Sequence, residues 1–388
     1  MKKYLPVTVT FFISIFVIGY MYISHVIANQ EAIYLKTVRG DDLEVKKIVL
    51  DFSIWNDDLY KPARLEDGRV QMMNHFSLWY FLTGAERSPE INNLIQKERH
   101  FMRGKSLGNE NFFENEEYLA YVNVHYTHRL EVENKGRPDE YEYYHYFPEL
   151  VVDVLEKETK KQWAFTLDVP DDEAISFLRV EDVQMIGGEL KVLARLNPLE
   201  DTEYYQIYTI DFTLEKITDS TKIDTPDVQE IVFLVNNPMN LKPENYYVFS
   251  AYTMEEEGSS AQTEHYYLFN LETEDLTELH LDFESFGQPV TLQNDTVYFV
   301  NQENGLEVIA YDIKTENTES IVFLDVKAND GFATVCYEDS KYFVTSWEDE
   351  NTIQIFVVDG QSGELLYEGQ IYHEDEQVEM YVDAFTVL

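Results

Sequence analysis

Cysteine is almost missing from this chain of 388 residues: only Cys336 is present. A lone cysteine excludes an internal disulfide, so whatever fold forms must be held by its apolar core. Basic residues are also scarce, 29 Lys and Arg against 73 Asp and Glu, giving a formal net charge of −44. That balance excludes nucleic acid as a partner, because nucleic-acid binding needs a basic footprint. Anionic lipid headgroups are repelled for the same reason, while solubility is favoured. Beyond residue 30 no uncharged apolar run is long enough to span a bilayer. The common signatures of catalysis are absent too. There is no Gly-x-Ser-x-Gly elbow, no His-Glu-x-x-His and no phosphate-cradling glycine loop.

One long uncharged run does exist, at the N-terminus. Lys2 and Lys3 precede a stretch from Tyr4 to Gln30 without Asp, Glu, Lys or Arg. About 20 apolar residues suffice to cross the hydrocarbon core as a helix. We read residues 1–3 as a cytoplasmic stub and 4–29 as a transmembrane signal anchor. By the positive-inside tendency, residues 31–388 lie outside the membrane. The competing reading is a cleaved signal peptide ending near Val26-Ile27-Ala28, although the stretch exceeds the usual length of such a segment. Export without disulfides suits the cell envelope of a Gram-positive bacterium, the source and location expected.

Disorder does not explain the charge. Hydrophobic residues make up 44% and aromatics 14% of the chain, with 28 Tyr and 24 Phe, enough to build a sizeable core. Strand signals dominate. One helix is expected near 89–103: Ser88 caps it, Pro89 suits its first turn, and Ile91, Leu94, Ile95 and Phe101 or Met102 share a face that ends near Gly104. We place it as an insertion inside a sheet.

A turn signature recurs from about residue 117. Glu156-Lys157-Glu158-Thr159, Asp211-Phe212-Thr213-Leu214, Asn270-Leu271-Glu272-Thr273, Asp312-Ile313-Lys314-Thr315 and Asp359-Gly360-Gln361-Ser362 each separate two short strands. An Asp or Asn side chain in such a place accepts from backbone N–H groups just ahead. A second hairpin lies between these anchors, at Asn294-Asp295 and Asp339-Ser340, and Gly187-Gly188 serves an equivalent turn. Two hairpins per unit give four strands per unit, the sequence mark of a β-propeller.

Asp359-Gly360-Gln361-Ser362-Gly363-Glu364-Leu365-Leu366-Tyr367 resembles the blade turn of quinoprotein-like (PQQ-like) propellers, with Tyr367 in the position of the usual Trp. The resemblance covers about 117–372 and implies architecture, not activity. The expected fold is therefore all-β, a propeller of about five to seven four-stranded blades behind one transmembrane helix. Blades are expected at about 70–168, 178–223, 228–282, 288–325 and 331–372. N-terminal strands within 43–82 close against 378–388, which would remove exposed edges. The alternative is a separate small domain at 31–110.

For function, the expectation is a membrane-tethered, non-catalytic binding or scaffold module with an envelope protein as partner. The alternatives are a propeller enzyme (hydrolase, lyase or dehydrogenase) with a dispersed acidic active site, and a cation-responsive sensor. No catalytic residue is assigned. The acidic loop Asp168, Asp171, Asp172 is the candidate metal site, for Ca2+, since calcium takes several carboxylate and carbonyl oxygens from one loop. His125, His128 and His145 are set aside as metal ligands, because positions three apart on a strand face opposite ways. The Tyr-rich stretch from Asp139 to Phe147 reads as a two-faced strand, with a binding patch as the alternative, and Cys336 as a small buried hydrophobe.

Overall fold

A computed structural model describes residues 16–17, 19–20, 33–56, 59–73, 88–133, 141–170, 175–198, 203–224, 230–233, 241, 243–254, 262–279, 288–301, 305–326, 333–374 and 378–387. In chain order the elements are β1 (Ile33–Gly40), the short helix α1 (Asp42–Val45), β2 (Ile48–Asn56), β3 (Leu59–Glu66), β4 (Arg69–Met72) and helix α2 (Pro89–Lys97). Four runs of four strands follow. They are β5 (Phe112–Glu114), β6 (Tyr118–Glu133), β7 (Tyr141–Glu156) and β8 (Gln162–Asp168); β9 (Ile175–Ile186), β10 (Glu189–Pro198), β11 (Tyr204–Asp211) and β12 (Lys216–Lys222); β13 (Glu230–Phe233), β14 (Tyr246–Met254), β15 (Gln262–Asn270) and β16 (Leu276–Glu278); β17 (Gln288–Gln293), β18 (Thr296–Asn301), β19 (Leu306–Asp312) and β20 (Asn317–Leu324). The last are β21 (Thr334–Glu338), β22 (Lys341–Asp349), β23 (Thr352–Asp359), β24 (Leu365–His373) and β25 (Glu379–Val387). Among the described residues the protein is thus nearly all β, with five four-stranded antiparallel sheets of the kind a propeller blade has and one five-stranded sheet.

The chain divides into two compact units, 1–76 with 327–332 and 338–388, and 77–326 with 333–337. In the first, β1, β24, β23 and β22 lie side by side, and β25, β2, β3 and β4 form a second sheet. The two ends of the chain meet there: Ile48 pairs with Val387 and Ile54 with Met380. In the second unit each run of four strands forms its own sheet in sequence order.

Local chemistry explains the regularity. Four of the five recurrent anchors, all but Glu156, are Asx turns. Asp211 Oδ1 accepts from Thr213 N and Leu214 N, Asn270 Oδ1 from Glu272 N and Thr273 N, Asp312 Oδ1 from Thr315 N, and Asp359 Oδ1 from Gln361 N and Ser362 N. These hydrogen bonds favour the ionised carboxylate and hold Asp211, Asp312 and Asp359 below the usual carboxylate range. The largest contribution comes from the Thr213 hydroxyl, Thr315 N–H and Ser362 N–H respectively. Four residues after each anchor the backbone turns left-handed: φ is +59° at Lys160, +54° at Glu215, +60° at Glu274, +55° at Glu316 and +69° at Gly363. The two-residue hairpins Asp67-Gly68, Gly187-Gly188, Asn294-Asp295 and Asp339-Ser340 carry positive φ at both positions. That matches the right-handed twist of the strands they join.

In the second unit each central strand buries both faces. Leu190, Val192, Ala194 and Leu196 of β10 pack with Val122, Leu150, Val152 and Val154 of the preceding sheet. Leu193, from the opposite face of the same strand, packs with Tyr247, Phe249 and Phe269 of the following one. The next contact repeats the scheme through Val248, Leu268, Phe299 and Ile309. Fully burying one such side chain contributes about 1.5–3 kcal/mol, so these layers carry the fold without any disulfide. The fourth strand of the β9–β12 sheet is polar and largely exposed, with Lys216, Asp219 and Lys222 in solvent, which discourages edge pairing.

Two expectations are corrected. The helix ends at Lys97, short of 103. Phe101 and Met102 are buried beside Ile91 and Leu94, so they satisfy the helical spacing from a following turn, closed by Met102 N donating to Glu98 O. The helix also precedes a sheet and does not interrupt one. β4 turns back on β3 through Asp67-Gly68, so the sheet expected at 70–168 begins at Phe112. Among the described residues no helix is long and apolar enough to cross a membrane, and the expected anchor at 4–29 lies almost wholly outside them.

Candidate active site

The second unit gathers ionisable side chains at a fault in one strand pair. β9 and β10 pair with Leu193 opposite Asp182 and Ala194 opposite Val180, leaving Glu181 with no residue opposite it. This is a β-bulge, which re-aims a side chain and bends the strand locally. Two residues away Arg179 and Arg195 are directly opposite each other. Like charges in that relation repel, and the carboxylate of Glu181 sits between them. Its Oε1 is 3.2 Å from Arg195 Nε and 3.8 Å from Arg179 Nε. Glu203 Oε1 lies 2.8 Å from Arg195 Nε, and Glu110 Oε1 lies 3.6 Å from Arg179 Nη2.

The members differ in burial. The Glu181 side chain is 14% exposed, the Arg179 side chain 49%. Glu181 Oε1 and Arg195 Nε are fully buried, and the close approaches between them are not aligned as hydrogen bonds. Burial therefore dominates at Glu181 and pushes its carboxyl above the usual range. Arg179 and Arg195 oppose this, and Glu110 and Glu203 add to it. At Arg195 burial works against the charge, but Glu181 and Glu203 outweigh it and the guanidinium is held more firmly than usual. The arrangement can hold a proton on Glu181 at a pH where exposed carboxyls have lost theirs. Beside that proton it presents two fixed positive charges.

Two nearby networks are satisfied internally and read as structural. Asp182 Oδ2 accepts from Tyr247 Oη and from Gln184 Nε2, each at 2.8 Å, and Gln184 Oε1 accepts from Glu244 N at 3.0 Å. Burial, then the Asp182 charge, pushes Tyr247 well above the ordinary tyrosine range. Lys191 Nζ donates to Thr209 Oγ1 at 2.9 Å and to Glu274 Oε1 at 2.5 Å, and Thr221 Oγ1 donates to Glu274 Oε2 at 2.8 Å. The Lys191 bond, followed by that from Thr221, holds Glu274 below its usual range against the opposing effect of burial. Both networks tie the β9–β12 sheet to the β13–β16 sheet.

Asp168, proposed as a metal ligand, is the exposed last residue of β8. Asp171 and Asp172 lie outside the described residues. Among the described residues no group of three His, Cys, Asp or Glu side chains is arranged to hold a metal ion. His125 is exposed on β6, opposite Glu149. Cys336 is half-buried and forms no disulfide. Sequence reasoning passed over Glu181. The available signal was the consecutive pair Glu181-Asp182, which breaks the alternation of Leu178, Val180 and Val183 as a bulge does.

No family model matches the sequence, and no curated protein does. Among solved structures the chain is similar to a variant of a Synechocystis apocarotenoid oxygenase, with 9% identity and TM-score 0.42 over 92% of this chain and 96% of that one. It is also similar to the β-propeller domain of the Trilobed protease from Pyrococcus furiosus, with 12% identity and TM-score 0.33 over 86% and 84%. A putative dipeptidyl aminopeptidase IV from Bacteroides ovatus matches with 11% identity and TM-score 0.37 over 79% of this chain and 45% of that one. Likenesses this low carry no substrate and no mechanism to this chain. The expectation of a non-catalytic binding or scaffold module is withdrawn, because none of the structures named supports it.

Proposed function

We propose that this chain is a β-propeller enzyme of acid–base chemistry, a hydrolase or lyase, with Glu181 as the proton-transferring group. The observation that carries the reading is a carboxyl buried on a β-bulge between two opposed guanidiniums. A carboxyl whose proton is held above the range of exposed carboxyls can protonate a leaving oxygen or, once ionised, take a proton from water. Arg179 and Arg195 would stabilise negative charge that develops on an oxygen as a bond breaks. The net charge of −44 discourages anionic substrates, so the substrate class is neutral in its ground state, such as an ester or a glycoside. In this reading the four-stranded sheets are propeller blades related to quinoprotein-like repeats. Residues 4–29 tether the sheets outside the membrane, supported by the uncharged stretch from Tyr4 to Gln30.

The test is a panel of chromogenic esters and glycosides presented to the purified chain and to Glu181→Gln. The expected result is turnover that falls about 100-fold or more in the variant, with the melting transition retained. Turnover unchanged in Glu181→Gln would refute the assignment.

A further inference from the structure

A second surface, in the first unit and independent of Glu181, carries its own chemistry. On the sheet β25-β2-β3-β4, alternate residues of β2 send Ile48, Leu50, Phe52 and Ile54 into the core. Asp51, Ser53 and Trp55 therefore share the other face. The register builds a lattice on that face. Trp55 stands opposite Tyr60 on one side and Glu379 on the other. One row further along, Ser53 stands between Pro62 and Tyr381. Three large aromatics are thus left in solvent together: Trp55 is 45%, Tyr60 42% and Tyr381 45% exposed.

Their geometry is that of a corner. The Trp55 and Tyr60 rings meet at 69° with centroids 5.2 Å apart, so they do not form the flat platform on which a sugar ring stacks. The indole is fixed from below. Trp55 Nε1 donates to Ser53 Oγ at 3.3 Å, and the buried Ser53 Oγ donates to Asp383 Oδ1 at 3.1 Å. Tyr381 is fixed by donating its hydroxyl to Glu379 Oε2 at 2.5 Å. Two steeply inclined aromatic faces with a carboxylate in the adjoining strand are what a desolvated organic cation needs. The ring quadrupoles attract it, and the carboxylate adds charge complementarity. A chain of net charge −44 concentrates cations around itself.

From this geometry we infer that Trp55, Tyr60, Tyr381 and Glu379 form a binding site for a small soluble quaternary ammonium compound of the choline type. A ligand carrying its own carboxylate is disfavoured by Glu379 and Asp383.

The probe is choline chloride, titrated into the full chain and followed through the indole N–H resonances of its four tryptophans. The Trp55 signal is identified by its loss in Trp55→Leu. Saturation in the millimolar range is expected, with at least about fivefold weaker binding in Trp55→Leu and about threefold weaker binding in Glu379→Gln. Equal binding of 3,3-dimethylbutan-1-ol, the uncharged isostere of choline, would overturn the inference by showing plain apolar packing. Binding to phosphatidylcholine vesicles with none to free choline would assign the surface to a lipid. A preference for cello-oligosaccharide or for a lysine-rich peptide would assign it to a polymer. Choline binding undiminished in Trp55→Leu would place it elsewhere on the molecule.

Discussion

The recurrent turns give an unusually sharp prediction, because one backbone conformation recurs with different side chains. Glu215 and Glu316 both sit in the left-handed region, at φ +54° and +55°, with exposed side chains. A non-glycine residue there costs about 1–2 kcal/mol, and glycine returns about 0.5–1 kcal/mol of that through its freedom in the unfolded chain. Glu215→Gly and Glu316→Gly should each stabilise by roughly 0.5–1 kcal/mol. Gly363→Ala should have the opposite sign and similar size. Its φ is +69° and a methyl group there meets nothing within 4 Å, so backbone strain is the whole effect. Glu274 has the same backbone, at φ +60°, but its carboxylate holds Lys191 Nζ and Thr221 Oγ1. Removing a charge-assisted bond at a buried lysine costs about 1.5–3 kcal/mol, so Glu274→Gly should destabilise despite the relief of strain. Urea denaturation midpoints of the four variants measure these differences. If Glu274→Gly stabilises as much as Glu316→Gly, the reading of that side chain as a tie between sheets is wrong.

Three further outcomes follow from buried or capping groups. Tyr247→Phe removes a hydrogen bond to a buried carboxylate and should lower stability by about 2 kcal/mol in the same denaturation assay. Ser88→Ala removes the cap on Ile91 N and should cost about 1 kcal/mol. The third is a pH effect. Burial raises the Glu181 carboxyl in the folded state, so its contribution to stability is fully present below the unfolded glutamate value of about 4.3 and is lost as pH rises through the folded value. Glu181→Gln, which mimics the protonated acid, should therefore melt higher than the native chain at mildly alkaline pH. That advantage should shrink as pH falls below the ordinary glutamate range.

Much of the local structure was legible because the chain writes its turns explicitly. The Asp and Asn anchors, the two-residue hairpins and the alternation along 378–388 each encode a backbone conformation within a few residues, and the strands fall where those signals put them. The helix was misjudged at its C-terminal end because burial of Phe101 and Met102 produces the same apolar spacing whether or not the backbone stays helical. The four-residue helix Asp42–Val45 is too short to leave a periodic signal. Glu181 was not legible as a site because, Arg179 apart, the group around it comes from β10, from the residue just before β11 and from the turn before β5. Only register brings Arg195, Glu203 and Glu110 to it. The same holds for Trp55, Tyr60 and Tyr381, which lie on three strands from opposite ends of the chain.

The most direct test of the central claim is a carbon-13 NMR titration of the glutamate side-chain carboxyls, with the Glu181 resonance identified by its loss in Glu181→Gln. This carboxyl is expected to titrate above the ordinary glutamate range and to rise further in Arg195→Gln, where one opposing positive charge is gone. A Glu181 carboxyl that titrates with the exposed glutamates would contradict the acid–base site.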